Sequence, residues 1–152
     1  MIPSLFAALL LQTAAPACTA DAPPPAGLEA WNTISGISMG PIGIGGTTGL
    51  RLQPSDKVAF VLKPERPPAS GTFSGIYSFN VTTAGTYHIA LSAGAWIDVV
   101  GDGKSLASVA HTEGPPCSGI RKIVDFTLAP GAYRLQLSGA KSEEMRVLIV
   151  AK

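Results

Sequence analysis

The chain has 152 residues and a formal net charge of +1, with Lys+Arg 11 against Asp+Glu 10, and only 14% of its residues are charged. No basic stripe or acidic block runs along it, which argues against a nucleic-acid partner or a polyanionic substrate. Gly 17 and Pro 13 are spread at intervals through a sequence that is 46% hydrophobic, a pattern that frequent turns between short strands explain better than disorder or a helical bundle.

Leu5 to Leu11 is an apolar run too short to span a bilayer. Ala15-Pro16-Ala17 follows with the small-residue spacing of a signal-peptidase site. Residues 1–17 therefore read as an export signal, although residues 1–4 carry no Lys or Arg. The protein is expected to be periplasmic or extracellular, with no transmembrane segment in the mature chain. Cys18 and Cys117 are the only cysteines. Cleavage after Ala17 keeps both in an oxidising compartment, where a Cys18–Cys117 disulfide is the expectation. Its loop of about one hundred residues is worth about 4–5 kcal/mol in the chain-entropy model. Cleavage after Ala20 would leave Cys117 as a lone thiol, and lipidation of Cys18 lacks the Leu that usually stands where Ala15 does. Residues 18–27, with Pro23-Pro24-Pro25, form a stiff extended leader. Residues 28–152 are the folded domain.

Leu28-Glu29-Ala30-Trp31 reads as one helical turn or a strand anchor, with Trp31 a core plug. Gly36 to Gly49 contains six glycines with Ile37, Met39, Ile42 and Ile44 between them. It lacks the Lys-Ser/Thr of a phosphate loop and reads as a wide, glycine-softened β connection. Strands are expected over 47–53 and over 57–63, where Val58, Phe60 and Leu62 alternate with Lys57, Ala59, Val61 and Lys63. Pro64-Glu65-Arg66-Pro67-Pro68 breaks that segment as a charged, extended loop.

A phrase then occurs twice: Val81 to Ser92 and Phe126 to Ser138 align with a one-residue gap opposite Pro130, pairing Gly85 with Gly131, Tyr87 with Tyr133 and Leu91 with Leu137. Each copy reads as a strand end, a Gly turn, and a new strand. The strand expected over 73–81 leads into the first copy and carries Tyr77, Phe79 and Val81 at period two. Residues 95–100 look buried on both faces, with Ala95, Ile97 and Val99 on one side and Trp96, Asp98 and Val100 on the other. Asp102-Gly103 signals a tight hairpin, with 105–110 as its return. Strands over 119–128, 132–138 and 145–150 complete about eight. The expected fold is an all-β, single-domain antiparallel β-sandwich, jelly-roll-like.

Residues 110–122 concentrate the polar chemistry. Arg121 and Lys122 would meet an anionic or hydroxyl-rich ligand, His111 would add a switchable charge, and Glu113 a carboxylate; the other reading of the same residues is a solvated surface loop stapled at Cys117, since loops are polar by default. Trp96 would offer an aromatic platform for a sugar ring or a sheet-edge plug. Asp98 with Asp102 supplies too few oxygens for Ca²⁺. A Cys117 nucleophile with His111 as base is incompatible with the disulfide, and Ser74 and Ser118 have no acid–base partners at recognisable spacing.

The run from Tyr77 to Val150 resembles the bacterial pre-peptidase C-terminal domain family, small jelly-roll sandwiches on secreted proteins. Tyr77-Ser78-Phe79-Asn80-Val81 leading into Ala84-Gly85-Thr86-Tyr87, Trp96-Ile97-Asp98 before the Gly-Asp-Gly hairpin, and Ala129-Pro130-Gly131-Ala132-Tyr133 carry the resemblance. The whole chain, especially Cys117 to Lys122, also resembles short exported bacterial proteins often labelled homogentisate 1,2-dioxygenase. That label implies a non-haem iron, for which His88 and His111, the only histidines, and Glu113 would be the ligands. The expected function is an exported, non-catalytic binding or accessory module of the cell envelope, without a cofactor, whose ligand is carbohydrate or protein and whose contact residues are Trp96, Asp98, His111, Glu113, Arg121 and Lys122. The alternative is a metal-dependent oxidoreductase using His88, His111 and Glu113.

Overall fold

A computed structural model describes residue 14 and residues 17–152, so the export signal expected over 1–17 lies almost wholly outside the described residues. The chain runs through a 3₁₀ turn, Glu29–Asn32, and then β1 (Ile34–Ser38), β2 (Thr47–Arg51), β3 (Gln53–Pro54), β4 (Phe73–Val81), β5 (Gly85–Leu91), β6 (Trp96–Gly101), β7 (Lys104–Ser105), β8 (Ala110–Thr112), β9 (Lys122–Leu128), β10 (Gly131–Ala140) and β11 (Glu144–Ala151). They form a six-stranded sheet in the order β1-β2-β11-β5-β9-β8 and a five-stranded sheet in the order β3-β4-β10-β6-β7. All pairs are antiparallel except β1 with β2. The all-β sandwich is as expected, with more and shorter strands. Among the described residues no helix is long and apolar enough to cross a membrane.

Period-two patterning fills the space between the sheets. Tyr77, Phe79 and Val81 of β4, Ile97 and Val99 of β6, and Leu135 and Leu137 of β10 face Tyr87, Ile89 and Leu91 of β5, Val124, Phe126 and Leu128 of β9, and Met145, Val147 and Ile149 of β11. Burial of each such side chain contributes about 1.5–3 kcal/mol before the entropy of ordering is charged against it. Tyr77 donates its hydroxyl to Arg51 O at 2.7 Å, and burial pushes its phenol up to about 12.

The doubled phrase proves to be two of the corners where the chain changes sheets. After β4 the chain leaves the five-stranded sheet and enters the six-stranded one as β5; after β9 it makes the reverse crossing to become β10. At each corner the tyrosine hydroxyl reaches back four residues, Tyr87 to Thr83 O at 2.6 Å and Tyr133 to Ala129 O at 2.7 Å. The corners also clasp each other, for Gly85 pairs with Leu128 and Gly131 with Val81. The two tyrosines are not equivalent in depth: Tyr87 is buried, whereas Tyr133 is half-buried and stacks on Phe79 with centroids 5.5 Å apart.

Four expectations need correction. The return expected over 105–110 is not one strand, because Lys104–Ser105 pairs with β6 and Ala110–Thr112 with β9 in the other sheet. The glycine-rich stretch from Gly36 is not all connection, because Ile34–Ser38 pairs in parallel with β2 as an edge strand. The loop after it crosses to the other sheet, where Ile42 N–H donates to Ser78 O at 2.8 Å and the Ile42 side chain is buried, while Ile37 and Met39 stay exposed. Residues 57–63 form no strand. They lie as a strap across the outer face of the five-stranded sheet, held from β10. The buried Gln136 side chain replaces a ladder, accepting from Val61 N–H at 2.7 Å and Leu62 N–H at 3.2 Å and donating to Leu62 O at 3.0 Å. The alternation still holds, since Val58, Phe60 and Leu62 are the half-buried positions. Trp31 is fully buried but outside the central core, in a second cluster with Leu28, Ala90, Ile120, Ile123 and Leu148 on the outer face of the six-stranded sheet.

That second cluster is roofed by the N-terminal segment, and the Cys18–Cys117 disulfide ties the roof down across a sequence separation of 99. Next to it Ala22 N–H donates to Cys117 O at 2.8 Å, and Trp31 Nε1–H donates to Ser118 O at 3.1 Å. A disulfide fits an extracytoplasmic location. Thiol titration of the denatured protein should detect no free thiol without reductant and two with it, and reduction should cost about 4–5 kcal/mol of stability by loop-closure entropy; two thiols without reductant would rule the bridge out. Tyr87→Phe removes one corner hydrogen bond and should lower unfolding stability by about 1 kcal/mol in denaturant titration. An unchanged midpoint would deny the corner any energetic role.

Candidate functional site

An open depression of about 700 Å³ lies where four separated pieces of chain meet: the strap at Arg66 to Ala69, the turn into β6 at Ala93 to Trp96, the start of β9 at Arg121 and Lys122, and the β10–β11 bend at Ser138 to Ser142. Each piece is placed for a local reason. Pro64, Pro67 and Pro68 keep the strap extended around Arg66. Arg66 is then set with its guanidinium 4.9 Å from the centre of the Trp96 ring, a cation–π contact. The β10–β11 bend begins at a register shift between Leu137 and Ala140, with Gly139 at φ 75, the conformation in which glycine is unpenalised.

Trp96 and Asp98 project together from the outer side of β6, because Ile97 and Val99 take the core side. Trp96 Nε1–H donates to Asp98 Oδ1 at 3.2 Å, and Asp98 Oδ2 has no hydrogen-bond partner. Burial raises the Asp98 carboxyl above its ordinary value, opposed in part by the Trp96 hydrogen bond and the Glu65 backbone. Lys122 donates Nζ–H to Ala95 O at 2.9 Å. Burial lowers its ammonium from the usual lysine range, and the neighbouring charges of Arg121 and Arg66 lower it further. Arg121 Nη1 meets Glu113 Oε1 at 3.2 Å, with both side chains well exposed, so that this pair contributes little stability and is easily exchanged.

Of the residues expected at a site, Trp96, Arg121 and Lys122 line the depression. Asp98 supports Trp96 from beside it, and Glu113 reaches only as far as Arg121. His111 is elsewhere: exposed on β8, opposite Val124. Arg66, Ser138 and Lys141 also line the depression and were not anticipated. The proline-flanked Arg66 was visible as a charged loop, but nothing in its spacing links it to Trp96.

The residues do not fit the iron that the dioxygenase label implies. In the ladder, His88 and Ala110 both pair with Asp125, whereas His111 pairs with Val124. Adjacent rows point to opposite faces, so that His88 is on the outer face and His111 on the core side of the sheet edge. His88 Nδ1 is already engaged with Asp125 Oδ1 at 2.6 Å, and Lys152 Nζ takes Asp125 Oδ2 at 3.0 Å. Among the described residues no group of three or more His, Cys, Asp or Glu could hold a metal ion. The set His88, His111 and Glu113 is therefore not a ligand set.

No protein-family model matches the sequence, and no curated protein matches it. Among solved structures the chain is similar to the pre-peptidase C-terminal domain of collagenase from Bacillus anthracis, with 15% identity and a TM-score of 0.45, covering 76% of this chain and 95% of that one.

Two carboxylates give opposite pH signatures. Asp98 has its folded value raised, so its favourable contribution is complete below the ordinary Asp value and is lost as pH rises through the raised one. Asp98→Asn, which keeps an acceptor for Trp96, should raise the thermal midpoint at pH 7 and lose that advantage at low pH. Burial works against the Asp125 carboxylate, but hydrogen bonds from His88 and Lys152 outweigh it and leave the value lowered. Its contribution is present above the ordinary Asp value and fades as pH falls through the lowered one. Asp125→Asn should therefore destabilise at pH 7 and match the parent in strong acid. Melting curves from pH 2 to 8 check both signs.

Proposed function

We propose that this is an exported, non-catalytic β-sandwich module of the cell envelope that binds carbohydrate or protein through the depression beside Trp96. The observation that carries the reading is the preformed depression itself, walled by Arg66, Trp96, Arg121 and Lys122 and braced by the Gln136 clamp on the strap. A site of this kind is held ready by contacts already made, so that a ligand does not have to be compensated for ordering it.

The chemistry of the lining suits binding: its side chains include Ser and Thr hydroxyls and four cations, all hydrogen-bond donors to a ligand's oxygens. The disulfide and the signal-like residues 1–17 support export, whether the protein stays in the periplasm or leaves the cell. Asp98 serves this surface by holding Trp96, and Glu113 by holding Arg121 when no ligand is present.

In pull-downs from envelope fractions, the purified protein should retain material that Trp96→Ala and Arg121→Ala variants retain at least ten-fold less. Equal retention by parent and variants, or no retention by the parent, would remove the depression as the binding surface.

A further inference from the structure

Resting on that reading, we propose that the depression takes an acidic saccharide, its carboxylate or sulfate oxygens held by Arg66, Arg121, Lys122 and Lys141. The four cations are part of a total of 11 Lys+Arg in a chain of net charge +1, and no carboxylate lines the cavity with them. Gathering like charges around one cavity is unfavourable unless a counter-charge arrives. Of the acids beside it, Glu113 reaches only Arg121, from an exposed position that solvent screens, and Asp98 is engaged by the Trp96 indole rather than by any of the four cations. A bound oxyanion would displace that pair at small cost and relieve the repulsion among the rest.

The remaining lining points to a sugar. Ser138 is only 2% exposed, lines the cavity, and has a hydroxyl with no hydrogen-bond partner; a buried polar group in that condition costs free energy until a partner comes. Ser142 adds a second hydroxyl, and Gly94, Ala95 and Gly139 leave the floor low. Hydroxyls interspersed with guanidinium forks match a ligand rich in hydroxyls that also carries a planar or tetrahedral oxyanion. An acidic peptide fits less well. The sheet edges are β1, β8, β3 and β7, and none of their residues lines the cavity, so that an extended peptide finds no strand edge to extend. A neutral sugar fits less well too, since Arg66 already covers one face of the Trp96 ring, where an uncharged pyranose would otherwise stack.

The test is calorimetric titration of the disulfide-intact protein with four probes: an oligogalacturonate, a sulfated malto-oligosaccharide, the uncharged malto-oligosaccharide of the same length, and an oligoglutamate of the same charge. At least one acidic sugar should bind ten-fold or more tightly than the neutral sugar and the oligoglutamate; which of the two binds distinguishes carboxylate from sulfate. Its affinity should fall at least ten-fold in Arg66→Ala combined with Arg121→Ala, should weaken with added salt, and should be unchanged in Arg134→Ala, which is exposed and outside the cavity. Both mutated arginines are exposed, and an unchanged melting curve confirms that the variants fold. Oligoglutamate binding as tightly as the acidic sugars, or no response to either acidic sugar, would overturn the proposal. Neutral-sugar binding that is lost in Trp96→Ala would also overturn it while leaving the binding-module reading intact, whereas envelope binding indifferent to Trp96→Ala would sink that reading instead.

Discussion

Two tyrosine hydroxyls, Tyr87 to Thr83 O and Tyr133 to Ala129 O, close two of the corners at which the chain passes between the sheets. Each bond is worth about 1 kcal/mol, small beside the burial of the core, so its importance is geometric. A sandwich needs its strands to change sheets without losing register, and a one-residue slip would turn the Tyr, Ile and Leu side chains of β5 to the wrong face. The corners prevent that by fixing where β5 and β10 begin. Because Gly85 sits opposite Leu128 and Gly131 opposite Val81, each corner also sets the other. β11 then pairs with β5, and β6 with β10, on strands whose register is already decided.

With the interior filled, the two outer faces remain, and each is covered differently. The six-stranded sheet is roofed by the segment carrying Leu28 and Trp31, tied down by the disulfide. Apolar burial dominates there. The five-stranded sheet is crossed by the proline-braced strap, whose amides are satisfied by the buried Gln136. Polar satisfaction dominates there, and that difference creates the site. A strap held at a few polar points leaves an opening beside it, and at its end Arg66 is brought over Trp96 while β9 and the β10–β11 bend supply Lys122, Arg121 and Lys141.

Several features were readable from local pattern alone. Alternation in β4, β5 and β10 placed the core side of each strand, because side-chain direction has period two whatever the strand pairs with, whereas β6 looked buried on both faces. Asp102-Gly103 was readable as a hairpin because both residues adopt positive φ, 50 and 71, which few other residue pairs tolerate. The alternation of Val58, Phe60 and Leu62 correctly marked a half-buried side but not a strand. Periodicity reports only that an extended segment lies against something, and whether its amides meet a strand or the side chain of Gln136 is a non-local matter. The edge strand Ile34–Ser38 was hidden for a related reason: its apolar residues are exposed, so burial left no mark on its composition.

The sequence by itself determined an all-β sandwich, its turn positions, the doubled strand-turn-strand phrase and the cysteines available to bridge, since these follow from backbone preferences and from side chains a few residues apart. It also showed Trp96, Arg121 and Lys122 as polar or aromatic candidates without linking them. Only the tertiary structure decided that Arg66, Trp96, Lys122 and Lys141 share one cavity and that His88 and His111 face opposite sides of a sheet. The reason is that charge clustering and ligand convergence are sums over residues far apart in the chain. A sequence with no basic stripe and a net charge of +1 can therefore fold into a strongly cationic cavity.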